Sequence, residues 1–308
     1  EIRLTMNDAT STTPCRPAHL FRIGLGVLLL GPAVGLADPG VCQPPDSSSR
    51  LSFAYYEQDR ADIEGSAGQV RRSDRRSELH FEMNDAWSLG IEHRYVILDV
   101  APTELQTNGH LHTLSFPVHW QSGADDRSFR FSIAPALSAS SNVMKDPGEY
   151  SADTFQLLAA AVWSRELSDR SDLRYGVCAD HRFGRYAVYP SISLDWRPRA
   201  DLQLTLGFPV TQVTYRVSAR VDTSLRVLPD GNEWQVKNRD LTRQSQLVYE
   251  ALQVGWALNW QARERLTLTV DVARLMRSRY DVTLADDSRV ELTPDDATRV
   301  GAAFAWRF

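Results

Sequence analysis

The chain ends with Val300-Gly301-Ala302-Ala303-Phe304-Ala305-Trp306-Arg307-Phe308. Because successive side chains of a β-strand point to opposite faces, one face of this stretch carries only small residues and one arginine. The other face is apolar and carries Val300, Ala302, Phe304, Trp306 and Phe308. The first face is too poor in bulk for the core of a soluble sandwich, but a membrane barrel has lipid on one side of a strand and a polar interior on the other. The stretch therefore predicts a strand of a transmembrane β-barrel.

The same period of two recurs in segment after segment from Leu51 to the C-terminus. Large apolar residues share one face, and small, polar or charged residues occupy the other. Thr154–Arg165 also suits a helix, but its apolar residues fit the period of two equally well, so we predict a strand there. Tryptophans near segment ends, with frequent Gly and Ala on the polar face, favour a barrel over a soluble sandwich.

The connections alternate between short polar links, such as Met83–Ala86, and longer stretches, such as Asp59–Arg75 and Pro229–Ser245. Short periplasmic turns and long loops on the other side are typical of outer-membrane barrels. We predict an all-β fold, a transmembrane antiparallel up-and-down β-barrel of fourteen strands closed by the C-terminal strand. The count falls to twelve if Phe208–Val227, where Pro209 could mark a tight hairpin, is one long bent strand pair.

Residues 1–37 are predicted to comprise a few upstream residues and a cleaved signal peptide that starts at Met6. The apolar run Ile23–Leu36 supplies its core, and Gly35–Ala37 supplies the small residues that a signal peptidase reads before Asp38. We therefore predict a precursor that is exported to the outer membrane of a Gram-negative cell.

Residues 38–50, rich in Pro, Ser and Asp, are predicted to be a disordered lead-in, and residues 51–308 to be the barrel. The three cysteines show no metal-binding spacing. Cys15 falls in the predicted cleaved segment, which leaves Cys42 and Cys178 as the one possible pair. Nothing in the sequence brings these two positions together, so we expect no disulfide between them.

A net charge of −5, from 34 basic and 39 acidic residues, gives no reason to expect a nucleic-acid partner. The partners we expect are outer-membrane lipid and lipopolysaccharide. The densest basic run, Arg71–Arg76, could bind lipopolysaccharide phosphates through its guanidinium groups. Alternatively, this run is the solvated base of a long loop.

Charges of both signs fall on the predicted polar face, and we predict that they line the lumen. They could close a narrow barrel with salt bridges, or form two opposed walls of a conducting pore. The candidates are Glu82, Glu92, Arg94, Arg130, Arg174, Asp180, Asp195, Arg216, Asp222, Arg226, Asp271, Arg277 and Arg279.

His80 and His119 fall on the polar face, where a histidine most often has a structural role as a hydrogen-bonding group. A lipid-modifying enzyme would need a serine and an acid within hydrogen-bond reach of such a histidine, and no G-x-S-x-G motif occurs. His110 and His112 could chelate a metal from one face of a strand, but no third ligand is identifiable nearby. We predict no catalytic residue, no metal and no cofactor.

A chain that ends on an aromatic residue, with aromatics two and four positions before it, resembles the C-terminal strand of bacterial outer-membrane barrels. In that group the barrel-insertion machinery reads this strand. The resemblance implies that Phe304, Trp306 and Phe308 are an assembly signal and that the insertion machinery is a partner during assembly.

Four further motifs, taken in order along the chain, resemble an uncharacterised family of bacterial outer-membrane β-barrels. That family is a domain of unknown function with no assigned activity, so the resemblance implies a fold and no functional residue. The motifs are Tyr189–Pro198, Leu204–Pro209, Val213–Arg216 and Gly231–Trp234.

The sequence thus predicts a passive channel or structural barrel for small solutes. Two other classes stay open: an outer-leaflet lipid-modifying barrel enzyme, and a surface-binding scaffold that uses the long extracellular loops. A steady current in planar bilayers would favour the channel, and the absence of a current would favour the enzyme or the scaffold.

Phe308 is expected on the lipid face at the periplasmic rim, where a lysine costs the folded state only about 0–1 kcal/mol. Stability alone therefore predicts a mild effect for Phe308→Lys. If the terminal aromatic is also an assembly signal, the membrane yield in cells should fall far more than the refolding yield in detergent. Equal small losses in both yields would leave Phe308 an ordinary rim residue.

Overall fold

The structure is a computed structural model that describes residues 41–42, 48–101, 109–124, 127–237, 244–283 and 288–308. The predicted signal peptide and most of the predicted lead-in lie outside these residues. Strands dominate the described part, and all of the ambiguous segment Thr154–Arg165 except Thr154 falls in a strand, as predicted. Three short helical turns are also present: α1 (Ser141–Met144) and two 3₁₀ turns, Pro147–Glu149 and Ala152–Thr154.

The strands are β1 (Arg50–Asp62), β2 (Gln69–Glu82), β3 (Trp87–Ala101), β4 (His110–Ser115), β5 (Val118–Ala124), β6 (Arg127–Ser140), β7 (Phe155–Ser168), β8 (Ser171–Asp180), β9 (Ala187–Arg199), β10 (Leu202–Phe208), β11 (Thr211–Ser218), β12 (Val221–Lys237), β13 (Gln244–Arg263), β14 (Leu266–Thr283), β15 (Arg289–Leu292) and β16 (Ala297–Arg307).

These strands close into an antiparallel ring. β1 pairs with both β2 and β16, and β16 pairs with β14, so the first and last strands of the chain join. β4 and β5 share one position, because both pair with β3 and with β6, while β15 pairs with β14 beyond the end of β16. The ring therefore has fourteen positions. The predicted barrel and its fourteen strands are confirmed, and Pro209 lies in the tight turn between β10 and β11.

The outer face of the ring is apolar, as the alternation predicts. On β16 the side chains of Val300, Phe304 and Trp306 are exposed, the last of them by 50%. A soluble protein seldom leaves so many large apolar side chains uncovered, whereas lipid covers them on a membrane barrel. Among the described residues, no helix is long and apolar enough to cross a bilayer.

One part of the wall folds inward. β12 leaves β11 at Val227 but stays paired with β13 as far as Lys237. The two strand ends, residues 228–237 and 244–252, form what we call the inward hairpin. It reaches the opposite wall, where Gln235 pairs with Ala139 of β6 in parallel orientation. The sequence predicts a long loop at Pro229–Ser245, and this is wrong for most of the stretch, since β13 supplies a continuous pairing partner.

A β-bulge in β14 accompanies the inward turn. The pairing with β13 shifts register between Glu250 and Leu252, and Arg277 has a φ of 53°, which is unusual for a residue other than glycine. Bulges bend a strand and reverse its alternation. As a result, the buried side chains change from odd positions such as Leu275 to even positions such as Tyr280.

Apolar side chains fill the interior at the end of the long connections. The inward hairpin contributes Trp234, Val236, Leu247 and Tyr249, which pack against side chains of the surrounding wall. The wall residues of this cluster are Ile63, Val70, Val96, Leu98, Leu111, Tyr280 and Val282. This cluster occupies the lumen on that side.

The piece of chain before β1 also enters the interior. Val41 and Cys42 are buried there, and Cys42 forms a disulfide with Cys178 of β8 across a Cα separation of 5.8 Å. The expectation of no disulfide is wrong, because ring closure brings together positions that are 136 residues apart in sequence. The predicted lead-in is thus held inside the barrel at these two residues.

Gly301 of β16 lies opposite Tyr56 of β1, and a Cβ at this position would come within 2.2 Å of the Tyr56 ring. Tyr56 is 3% exposed and Arg299 lies over its ring, so moving the ring would disturb the buried charges. We therefore expect Gly301→Val to lower the free energy of unfolding by about 1–3 kcal/mol, the usual cost of overpacking. Urea unfolding in lipid vesicles measures this. Ala302→Val, on the outer face, is the control, and an equal loss in both variants would contradict the packing argument.

Candidate functional site: the charged interior

The centre of the lumen holds a cluster of charges from five strands, all of them buried except the half-buried Arg76. Alternation along each strand points these side chains inward, opposite to the apolar outer face. We call the set the interior charge cluster: Arg72, Asp74 and Arg76 of β2, Arg94 of β3, Arg226 and Asp230 of β12, Asp271 of β14 and Arg299 of β16.

Asp74 is the centre of one half of the cluster. Its carboxylate lies 2.8 Å from Arg94, 2.9 Å from Arg76 and 3.2 Å from Arg72. All four residues belong to the neighbouring strands β2 and β3. This half is therefore built within the wall of the barrel.

Asp230 connects the inward hairpin to that wall. Its carboxylate lies 3.1 Å from Arg94 of β3 and 3.4 Å from Arg299 of β16. Arg72 and Arg76 are farther, at 3.8 Å and 3.9 Å. One carboxylate on the hairpin thus faces four guanidinium groups on three strands of the wall.

Asp271 of β14 completes the cluster by contacting Arg226 and, at 3.5 Å, Arg299. Two arginines also lie over aromatic rings: Arg72 is 4.0 Å from the centre of the Tyr249 ring, and Arg299 is 4.5 Å from that of Tyr56. Five guanidinium groups face three carboxylates in the cluster. Burying ions costs several kcal/mol each unless they are well paired, so stability alone is a poor explanation for charges at this place.

A cavity of about 150 Å³ lies next to the cluster, beneath the inward hairpin. Val41, Pro229 and Gly231 line it, so both the lead-in and the hairpin bound it. The charged side chains along it have both signs: Arg50, Arg76, Arg94, Arg182, Arg299, Glu78, Glu92, Asp180 and Asp230.

His80 and His119 point into the interior near the short turns, with ring centres 5.9 Å apart. The Nδ1 atom of His119 lies 2.8 Å from the hydroxyl oxygen of the buried Ser132. The contacts described for His119 include no carboxylate. This pair faces the lumen and not the lipid, so an outer-leaflet lipid has no direct approach to it.

His110 and His112 lie on the outer face of β4. His112 contacts His93 at 3.2 Å and Ser141 at 2.8 Å, and the hydroxyl oxygen of Tyr95 lies 2.5 Å from Nδ1 of His110. Within the described ranges, no group of three or more His, Cys, Asp or Glu side chains could hold a metal ion.

The structure brings some of the predicted lumen residues together. Arg94, Arg226 and Asp271 belong to the interior charge cluster, and Arg174 pairs with Asp195. Four others make inward polar contacts or line inner cavities: Glu92 with Ser115, Arg130 beside His119, Asp180 with Tyr189, and Asp222 with Asn259.

Two more predicted residues lie on the inward face, at strand ends beside short turns. Glu82 lines the same inner cavity as His80, and Arg216 is directly opposite Asp222 in the strand pairing. The last two, Arg277 and Arg279, lie elsewhere. Arg277 is exposed and Arg279 pairs with Glu250, on the face opposite to the buried Ser278. The bulge in β14 explains the difference, because it shifts the alternation by one residue after Leu275. The three proposed signal residues Phe304, Trp306 and Phe308 lie on the outer face.

Five members of the interior charge cluster are missing from the sequence-based candidates: Arg72, Asp74, Arg76, Asp230 and Arg299. The sequence places the run from Arg71 to Arg76 at a loop base, but it belongs to β2 and alternates between the two faces. Extending the period of two backward from His80 would have found this. The same extension from Gly301 would have placed Arg299 in the lumen.

Solved structures of outer-membrane proteins resemble this chain at low identity. The COG4313 outer-membrane channel from Pseudomonas putida F1 is 9% identical with a TM-score of 0.46, over 88% of this chain and 100% of that one. A TodX monoaromatic hydrocarbon channel mutant is 10% identical with a TM-score of 0.44, over 88% and 93%. The KdgM porin is 7% identical with a TM-score of 0.40, over 83% and 99%.

The comparison with curated proteins gives no match. The family described as Domain of unknown function (DUF6268) matches residues 56–283, which include most strands of the ring and the inward hairpin. This match covers well over half of the chain, and the chain therefore belongs to the DUF6268 family.

Proposed function

We propose that this protein is an outer-membrane β-barrel that passes small polar solutes and that the inward hairpin closes its lumen. The observation that carries the proposal is a charged interior with a cavity, covered by a hairpin whose β12 strand has left β11 and crossed to the opposite wall. A barrel that served only as a structural element would have no need for buried charges next to a cavity.

The outer face supports the location in the membrane. Trp87 pairs with Trp120 across β3 and β5, and Trp163, Trp196, Trp260 and Trp306 lie near other short turns. Aromatic girdles of this kind mark the interfaces of outer-membrane barrels. The apolar side chains between the girdle and the far end of the strands suit the hydrocarbon region.

Besides the apolar cluster, polar and exchangeable contacts hold the inward hairpin against the opposite wall. Asn232 and the indole N–H of Trp234 donate hydrogen bonds to Thr113 of β4, at 2.7 Å and 3.1 Å. Gln156 of β7 donates to the backbone carbonyl of Glu233 at 2.8 Å. Water can replace each of these partners if the hairpin moves away, so the closed arrangement need not be permanent.

The mixed charges along the cavity define the class of solute. Both arginines and carboxylates line it, so neither simple anions nor simple cations meet a wall of one sign. Such a lining suits polar or zwitterionic small molecules better than apolar ones.

We expect Asp230→Asn to weaken the closed state, because it leaves four arginines of the wall without the hairpin carboxylate. Removing one partner of a buried charge network costs more than the 1.4 kcal/mol that corresponds to a tenfold change. The open fraction in single-channel recordings should therefore rise at least about tenfold. Asp172→Asn is the control, since Asp172 pairs with Arg197 in an exposed position.

An engineered disulfide between the inward hairpin and β6 tests whether the hairpin itself moves. Cysteines at Ala139 and Gln235, introduced together with Asp230→Asn and with both native cysteines replaced by serine, should form a disulfide across the lumen. The oxidised protein should be silent and the reduced protein should conduct. The control carries Asp230→Asn and the two serine replacements but not the two new cysteines, and its current should be the same with and without reductant. Equal currents in the wild type, in Asp230→Asn and in the oxidised variant with the two new cysteines would overturn the proposal.

A further inference from the structure

A row of polar and aromatic side chains crosses the outer face of the first four strands. Tyr55, Arg75, Tyr95 and His112 lie side by side on β1, β2, β3 and β4, as the pairing registers show. Residues directly opposite each other in an antiparallel pair share a face. Tyr55 and Arg75 are exposed, so this face is the outer one. We call these four residues the rim patch.

Arg75 is the centre of the rim patch. Its guanidinium group lies 5.8 Å from the centres of both the Tyr55 and the Tyr95 rings. The ring of His112 stacks on Tyr95 at 4.7 Å. Arg71, on the same face of β2, pairs with Glu57 at 2.7 Å, whereas Arg75 has no ion pair with any described carboxylate.

The patch lies near one membrane interface. Trp87, in the girdle by the short turns, and Tyr95 are eight positions apart on β3. At about 3.3 Å per residue and a strand tilt of about 40°, this separation is about 20 Å along the membrane normal. The apolar band of such barrels is about 25 Å tall. Arg75 is therefore close to the lipid headgroups on the side of the long connections.

An uncompensated guanidinium at this level needs an anionic partner from outside the chain. Arginine matches the geometry of a phosphate group and can bind two of its oxygens at once. The hydroxyls of Tyr55 and Tyr95 already bond to Glu57 and His110, and the nitrogens of His112 bond to His93 and Ser141. Arg75 is therefore the group that would hold the phosphate, with the two tyrosine rings beside it. We propose that the rim patch binds a phosphate of lipid A, the phosphorylated glycolipid anchor of lipopolysaccharide. The proposal rests on the membrane location above, with the long connections outside, but not on conduction.

The test uses the purified barrel in detergent and measures the binding of bisphosphorylated lipid A by native mass spectrometry. Arg75→Gln should lower the affinity at least about tenfold, the loss expected for a charge-assisted hydrogen bond. Arg274→Gln is the matched control. Arg274 is also an exposed, outward arginine, but it contacts Thr298 and is not part of the patch.

Lipid A from which the phosphates have been removed should bind the wild type as weakly as the phosphorylated form binds Arg75→Gln. Inorganic phosphate should not compete, because the acyl chains hold the headgroup at the rim. Equal losses in Arg75→Gln and Arg274→Gln would indicate non-specific charge attraction and overturn the site. Unchanged affinity in Arg75→Gln would overturn it as well. A barrel that binds lipid A but never conducts would contradict the proposed function alone.

Discussion

The backbone pairing between β1 and β16 is the constraint on which the rest of the structure depends. In hydrocarbon an unpaired N–H or C=O costs several kcal/mol, so a sheet that spans a membrane must have no free edge. β1 and β16 satisfy this requirement through nine residue pairs, from Arg50 with Arg307 to Gln58 with Arg299. Closure also decides what each strand face contacts. Every second side chain points to lipid, and the others share one enclosed space.

That enclosed space explains why charges, an apolar cluster and a disulfide occur together in one lumen. The interior charge cluster occupies its centre, where strands from both ends of the chain meet. From the side of the long connections, the inward hairpin adds Asp230 to the interior charge cluster. It also adds Trp234 and Tyr249 to the apolar cluster. One hairpin therefore contributes both to the polar and to the apolar contents of the barrel. A change in its position would alter both at once.

The sequence predicts the elements of this fold better than it predicts their contacts. Alternation is a local property, so the outward face of the terminal strand and the inward position of Arg226 could be read directly. Pro229, Gly231 and Asn232 are typical of turns, yet β12 continues through them because β13 pairs with it along the whole length. The reversal at Arg277 depends on a bulge that no periodic pattern reveals. The meeting of Asp230 with Arg94 depends on ring closure, which no local signal encodes.

The bond between Cys42 and Cys178 has a further consequence for the unfolded chain. It closes a covalent loop of 136 residues that contains β1 to β7 and most of β8, about half of the ring. A cross-link of this length reduces the conformational entropy of the unfolded state by an amount worth about 5 kcal/mol in loop-closure theory. An oxidised precursor therefore starts assembly with one half of the barrel already confined. The second half, from β9 to β16, has no such covalent restraint within the described residues.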